Sequence, residues 1–426
     1  MMRMAIYSVK SGDTLWSISQ KTGVSIQTIR RVNGLVSEAL VPGLGLYIPD
    51  QGLPERFYQV RSGDTFWTIA QRFNTRVETL IQANPQIQPN RLRGGERLRI
   101  LTPNKFRMDT LGFVDAFSPT SFLRMIDQIA PHLTYLAIFT YSFRSDGTLI
   151  PVDDARLISE SRRYGVKPLM VLSNLVGATF VPELAEQVIV NENVRRTLIQ
   201  NVVRTLGEKG YAGVSIDFEF VPPNRRNEFT NFLRELKEAM GERILHINAH
   251  AKTADNPTNR LVGFLDYRAI GRVVDIMAVM TIDYGFSKGP PDPIAPTWWV
   301  EQVINYAISQ VNRRKLMIGI PLYGYDWRLP YTPNTVADTL SANRAQNLAI
   351  RNRVSIQYDW DLESPWYQYQ QEDVWHRVWF EDIRSLVAKY RLVEIYNLLG
   401  VTYWQLGFAF PQNWAYLEKN IELLTR

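Results

Sequence analysis

The chain of 426 residues is 45% hydrophobic and 21% charged, proportions of a soluble globular protein long enough for two or three folding units, one of them a full barrel. Lys and Arg exceed Asp and Glu by 48 to 42 with no basic block of five, which suits adhesion to an anionic polymer and removes the electrostatic footprint of a nucleic-acid binder. Cysteine is absent, which excludes disulfides, thiol catalysis and Cys-ligated zinc, and no apolar run is long enough to span a membrane.

In chain order, the opening MMRMAIYSVKSGD lacks an apolar stretch of signal-peptide length, so synthesis in a cytoplasm is expected. The string from Tyr7 to Trp16, YSVKSGDTLW, returns from Tyr58 to Trp67 as YQVRSGDTFW. Each copy predicts a short strand, a Ser-Gly-Asp-Thr turn, and a helix marked by Leu15 and Ile18 or by Phe66, Ile69 and Phe73. A second helix follows, marked by Ile26, Ile29 and Val32 or by Val77, Leu80 and Ile81. A closing strand comes last, at Leu46–Ile48 or Leu98–Ile100. Asp13 and Asp64 are candidate helix caps.

This βααβ unit resembles the LysM module over residues 5–50 and 56–101. The resemblance implies a groove for chains containing N-acetylglucosamine, built in one copy from Gly12, Asp13 and Thr14 with residues 41–44. In the other it is built from Gly63, Asp64 and Thr65 with residues 91–94. Two weak sites on one tether would lengthen residence through effective concentration.

Residues 107–426 alternate apolar strands with helical stretches, the pattern of a parallel α/β architecture. Eight strands are predicted at 111–113, 136–140, 169–172, 213–220, 244–249, 276–281, 316–322 and 401–406. A (β/α)8 TIM barrel follows, with its site where the strands end. The long seventh gap, about 326–382, reads as an insertion, either one that walls one side of the cleft or a structural insert with no substrate contact. His246 and His250, on a strand-like run, lie too far apart for a shared ion, so no metal and no cofactor is expected.

The fourth strand, Gly213-Val-Ser-Ile-Asp217-Phe-Glu219, carries two carboxylates where a buried parallel strand should be apolar. At i and i+2 they share one face, and crowding in a desolvated mouth favours a retained proton, as a general acid requires. The string resembles the catalytic strand of glycoside hydrolase family 18, whose signature is D-x-x-D-x-D-x-E. By that resemblance Glu219 is the acid/base, and Asp217 orients the substrate acetamido group so that its carbonyl attacks the anomeric carbon, with retention of configuration. Met280, Asp283 and Tyr284 then match the sixth-strand signature, Tyr323 the seventh strand, and Trp404 the floor beneath the N-acetyl sugar. Ala212 and Ser215 stand where the signature has Asp, and Ile282 where the family has a Tyr donor, which makes Tyr284 the substitute candidate.

The whole arrangement, with the strings FEFVPP (218–223), GPPDPIAP (289–296) and VWFED (378–382), resembles the spore cortex-lytic N-acetylglucosaminidases of spore-forming bacteria. What this implies is cleavage of cortical peptidoglycan during germination by a monomer made in the mother cell and laid down in the spore's outer layers. The partners implied are glycan strands, with neither nucleic acid nor membrane. A chitinase, or a glycan-binding coat protein whose barrel has lost catalysis, are the rival readings.

Overall fold

The computed structural model describes residues 6–49 and 52–424; the expected limits at 5, 50 and 426 lie outside them. In the first module the strands Ile6–Ser8 and Gly45–Tyr47 pair antiparallel around helices Leu15–Thr22 and Ile26–Val32. In the second, Glu55–Gln59 pairs with Arg97–Leu101 around Phe66–Arg72 and Val77–Ala83. The helix caps are Thr14 and Thr65, each in a reciprocal capping box with the residue three positions on. Asp13 and Asp64 therefore do not cap. Asp13 accepts from the Tyr7 hydroxyl, the Lys10 amide and Lys21, and Asp64 from Tyr58, the Arg61 amide and Arg72, so each carboxylate locks its own turn. Asn33 and Asn84 repeat one device: the buried side-chain amide satisfies the end of the second helix and brackets the closing strand at Tyr47 or Arg99.

Eight parallel strands close into a barrel: Phe106–Asp115, Tyr135–Phe143, Lys167–Ser173, Gly213–Asp217, Ile244–His250, Ile276–Met280, Leu316–Pro321 and Gly400–Trp404. We number them one to eight. Leu111, Phe113, Ala137, Leu169, Val171, Ala278 and Met317 fill the interior, while the opposite strand faces pack on the surrounding helices. Between strands seven and eight lies a five-stranded antiparallel sheet, in the order 338–341, 323–329, 374–380, 364–371, 357–359, with helix Ala342–Asn352 against it.

The modules are not loosely tethered. Val9, Ile18, Ile29, Val41 and Leu44 of the first share one buried core with Leu340, Ile356, Tyr367 and Phe380 of the inserted sheet. The second leans its strand Glu55–Gln59 on helix Ile383–Ile395, with Arg56 on Glu394 at 2.5 Å.

Candidate active site

Strand four is buried throughout and ends at Asp217, so residues 218–220 leave the sheet rather than extend the strand as expected. The alternation of sides persists past that end. Phe218 turns outward and stacks on Phe232 of helix Arg226–Met240 at 5.5 Å, which leaves Asp217 and Glu219 together on the other side. The Glu219 backbone is gripped at both ends by the buried Asn174, whose Oδ1 accepts from the Glu219 amide while its Nδ2 donates to the Glu219 carbonyl, each at 2.9 Å. Phe220 then takes φ 57° and Asp283 φ 56°, left-handed values that bulky or charged residues rarely hold without surrounding support.

Asp217 is 5% exposed and accepts a hydrogen bond from Asn248 Nδ2 at 3.0 Å. Burial first, and then the negative charge of Glu219, push its carboxyl well above the ordinary carboxylate range. Glu219 is half-buried and lies 3.4 Å from His250 Nε2. The Ser215 hydroxyl meets His246 Nδ1 at 2.8 Å, and both residues are fully buried.

Beyond strand six, Oδ1 of Asp283 accepts from the hydroxyls of Tyr323 and Tyr325 at 2.6 and 2.9 Å. Met280 is half-buried at the end of that strand. Tyr284 is exposed and leans on Trp298 and Trp299, with ring centroids 5.6 and 5.4 Å away. Trp404 ends strand eight half-buried, its ring against Phe139 and Phe113 at 5.1 and 5.7 Å. Exposed Phe117, Phe220 and Phe286 stand on loops that follow strands one, four and six, where flat apolar faces suit sugar rings.

Sequence reasoning missed Asn174, Asn248, Tyr325 and the site role of His250. The signal was present for three of them: Asn174, Asn248 and His250 are polar interruptions at the C-terminal ends of apolar strands, as Asp217 is. In the modules, Gly12 and Gly63 are open, since a side chain added at either meets nothing within 4 Å.

The model of glycosyl hydrolases family 18 matches residues 184–409, and the LysM domain model matches residues 7–49 and 58–101. A cortical fragment-lytic enzyme of Bacillus anthracis is 32% identical over 98% of this chain and 98% of its own length. The crystal structure of the spore cortex-lytic enzyme SleL of Bacillus cereus superposes with a TM-score of 0.87 at 32% identity, covering 99% of this chain and 98% of that one. That of Bacillus megaterium QM B1551 SleL gives 0.84 at 33% identity, covering 99% of each chain. With its matched barrel, its carboxylates at the mouth and its two modules, the chain belongs to glycosyl hydrolase family 18 and is a glycoside hydrolase with two LysM domains ahead of its barrel.

Proposed function

We propose that the protein is a peptidoglycan N-acetylglucosaminidase that acts on spore cortex, cleaving N-acetylglucosaminyl bonds with retention. The observation that carries this reading is the pair Asp217 and Glu219 on one side of the barrel mouth, the first buried and held toward its protonated form, the second reachable from solvent. Glu219 gives its proton to the glycosidic oxygen as the bond from that oxygen to the anomeric carbon breaks, while the substrate's own acetamido carbonyl oxygen bonds to that carbon. Asp217, fixed by Asn248, holds the acetamido N–H. Water then attacks the anomeric carbon as its bond to the acetamido oxygen breaks, which restores the acetamide, and the attacking water gives a proton to Glu219. Asp283, steadied by Tyr323 and Tyr325, and Trp404, with Met280 beside them, wall the N-acetyl sugar, and Tyr284 serves as donor in place of the Tyr that Ile282 replaces.

The modules hold the insoluble glycan. Their turns at Gly12, Asp13 and Thr14 and at Gly63, Asp64 and Thr65 supply shape and backbone, since both Asp carboxylates are spent within the turn. The cortex-lytic enzymes that this chain resembles support the reading of spore cortex as its substrate.

Glu219→Gln is expected to keep folding and wall binding while turnover of cortex fragments falls by about a hundredfold or more, the range for losing a general acid. Equal turnover by variant and wild type would refute the assignment. Wild-type protein that binds wall without any turnover would leave only a glycan-holding scaffold, and faster turnover of chitin oligomers than of cortex fragments would favour a chitinase.

A further inference from the structure

Strand five presents His246, Asn248 and His250 at alternate positions, and these face Ser215 and Asp217 of strand four and Glu219 just beyond its end, one to one. The separations are 2.8, 3.0 and 3.4 Å, in the register that pairs Ser215 with His246. The three contacts differ in kind. His246 and Ser215 are fully buried, and burial holds that imidazole down at about 3, so it stays neutral and serves as a fixed partner of the hydroxyl. Asn248 can only donate to or accept from Asp217 and cannot take up a proton. His250 is different: it is half-buried, its Nε2 is covered, and that nitrogen makes no hydrogen bond within the described residues, although a carboxylate oxygen of Glu219 lies 3.4 Å away. Separations of this size at a site without substrate commonly tighten when substrate binds.

We propose that His250 is a positioning residue for the hydrolysis, sharing one proton with Glu219 and so setting the pH range over which Glu219 can protonate the leaving sugar. The proton sits on the Glu219 carboxyl, donating to Nε2, or on the imidazole, donating to the carboxylate. Its passage to the glycosidic oxygen leaves carboxylate and neutral imidazole, and the hydrolytic water restores it. The groups facing this pair fit the role. Asp217 and Asn248 flank it, and Asp283 across the mouth is near enough to feel the Glu219 charge. On the far side the Phe220 ring packs against the imidazole at 6.4 Å, and the Tyr267 hydroxyl holds the His250 carbonyl at 2.5 Å. Strand five thus sets a basic ring nitrogen beside Glu219, where Ala212 and Ser215 stand in place of the signature's two other carboxylates.

The inference rests on Glu219 as the proton donor, and the two can fail separately. A proton that can rest on either of two groups is given up at higher pH than from one alone, so His250→Asn should pull the alkaline limb of kcat/KM to lower pH by about half a unit or more. On disaccharide-repeat substrates, whose sugar leaving group needs protonation, kcat should fall about tenfold at alkaline pH with KM little changed. With an aryl N-acetylglucosaminide, whose phenolate departs unprotonated, the loss should shrink to within about twofold. His250→Gln gives the same reading should the Asn variant fold poorly, as judged by circular dichroism. An equal loss at every pH and with both leaving groups would overturn the role of His250 while leaving Glu219 untouched. Full activity in Glu219→Gln would remove the donor itself.

Discussion

The two N-terminal modules share a motif, a capping box and a buried Asn, yet they join the barrel by different physics. The first is fused into the inserted sheet. Val41 and Leu44 are buried there, the Ile356 amide donates to the Pro42 carbonyl at 2.9 Å, and neutral amides complete the seam, Gln412 on Asn33 at 2.7 Å and Asn347 on Gly34 at 2.9 Å. The second is held by charge, through Arg56 with Glu394 and Arg97 with Glu301, and its corresponding loop, residues 93–95, stays exposed. The same repeat is therefore packed against the inserted sheet in one copy and leaves its corresponding loop open to solvent in the other. The difference is written in the loop itself, where Val41 and Leu44 of the first copy correspond to Arg93 and Glu96 of the second.

A matched pair of substitutions can break this comparison. Gly43 and Gly95 occupy equivalent turns at φ 82° and 93°, so Ala costs each about 1 kcal/mol of backbone strain. A side chain on Gly43 would also overlap the Ile356 carbonyl, whereas one on Gly95 meets nothing within 4 Å. Gly43→Ala is expected to cost about 2–3 kcal/mol more than Gly95→Ala in denaturant melts, the usual toll of overpacking. Equal losses would mean the first module is not seated on the insertion.

The charged seam should be the weaker and should depend on pH. Burial pushes the Glu394 carboxyl from its ordinary 4.5 up to about 7, even though Arg56 and the Phe57 amide both favour the carboxylate. A raised carboxyl stabilises the fold fully below about 4.5, and that contribution is lost as pH climbs through about 7. Arg56→Ala should thus cost about 2 kcal/mol at pH 8, where a buried carboxylate is left unpaired, and clearly less at pH 6, where it keeps its proton. A loss independent of pH would show that packing, not charge, holds the second module.

Salt should give the smallest and most selective effect. At about 1 M NaCl, where charges are screened beyond roughly 3 Å, amide exchange should rise modestly along Glu55–Gln59 and stay level along Gly45–Tyr47. A rise in both strands would erase the distinction between the seams.

Much of this molecule was legible before any coordinates. The repeat, the eight barrel strands and the carboxylates at 217 and 219 rest on local periodicity and on polar residues that interrupt apolar runs. Where the prediction failed, the deciding contact was distant in sequence or depended on a single backbone angle. The fourth strand stops at Asp217 because Phe218 finds its core in the next helix, and the carboxylates share a side for that reason rather than by strand extension. Thr14 rather than Asp13 caps its helix because Tyr7 and Lys10 already occupy the Asp13 carboxylate. His250 drew notice only as a poor metal ligand, since its partner becomes visible once barrel closure sets the register between strands four and five.

The core that joins the first module to the insertion brings together residues 9–48 and 340–380. A ribosome adding about 5–20 residues each second needs roughly 15–60 s to make the intervening chain. During that interval Val41, Leu44 and their neighbours lie bare. The nascent chain must carry a sticky half-site through most of its own synthesis, so expression yield should respond to chaperone supply and to translation speed even though the finished protein hides every one of these side chains.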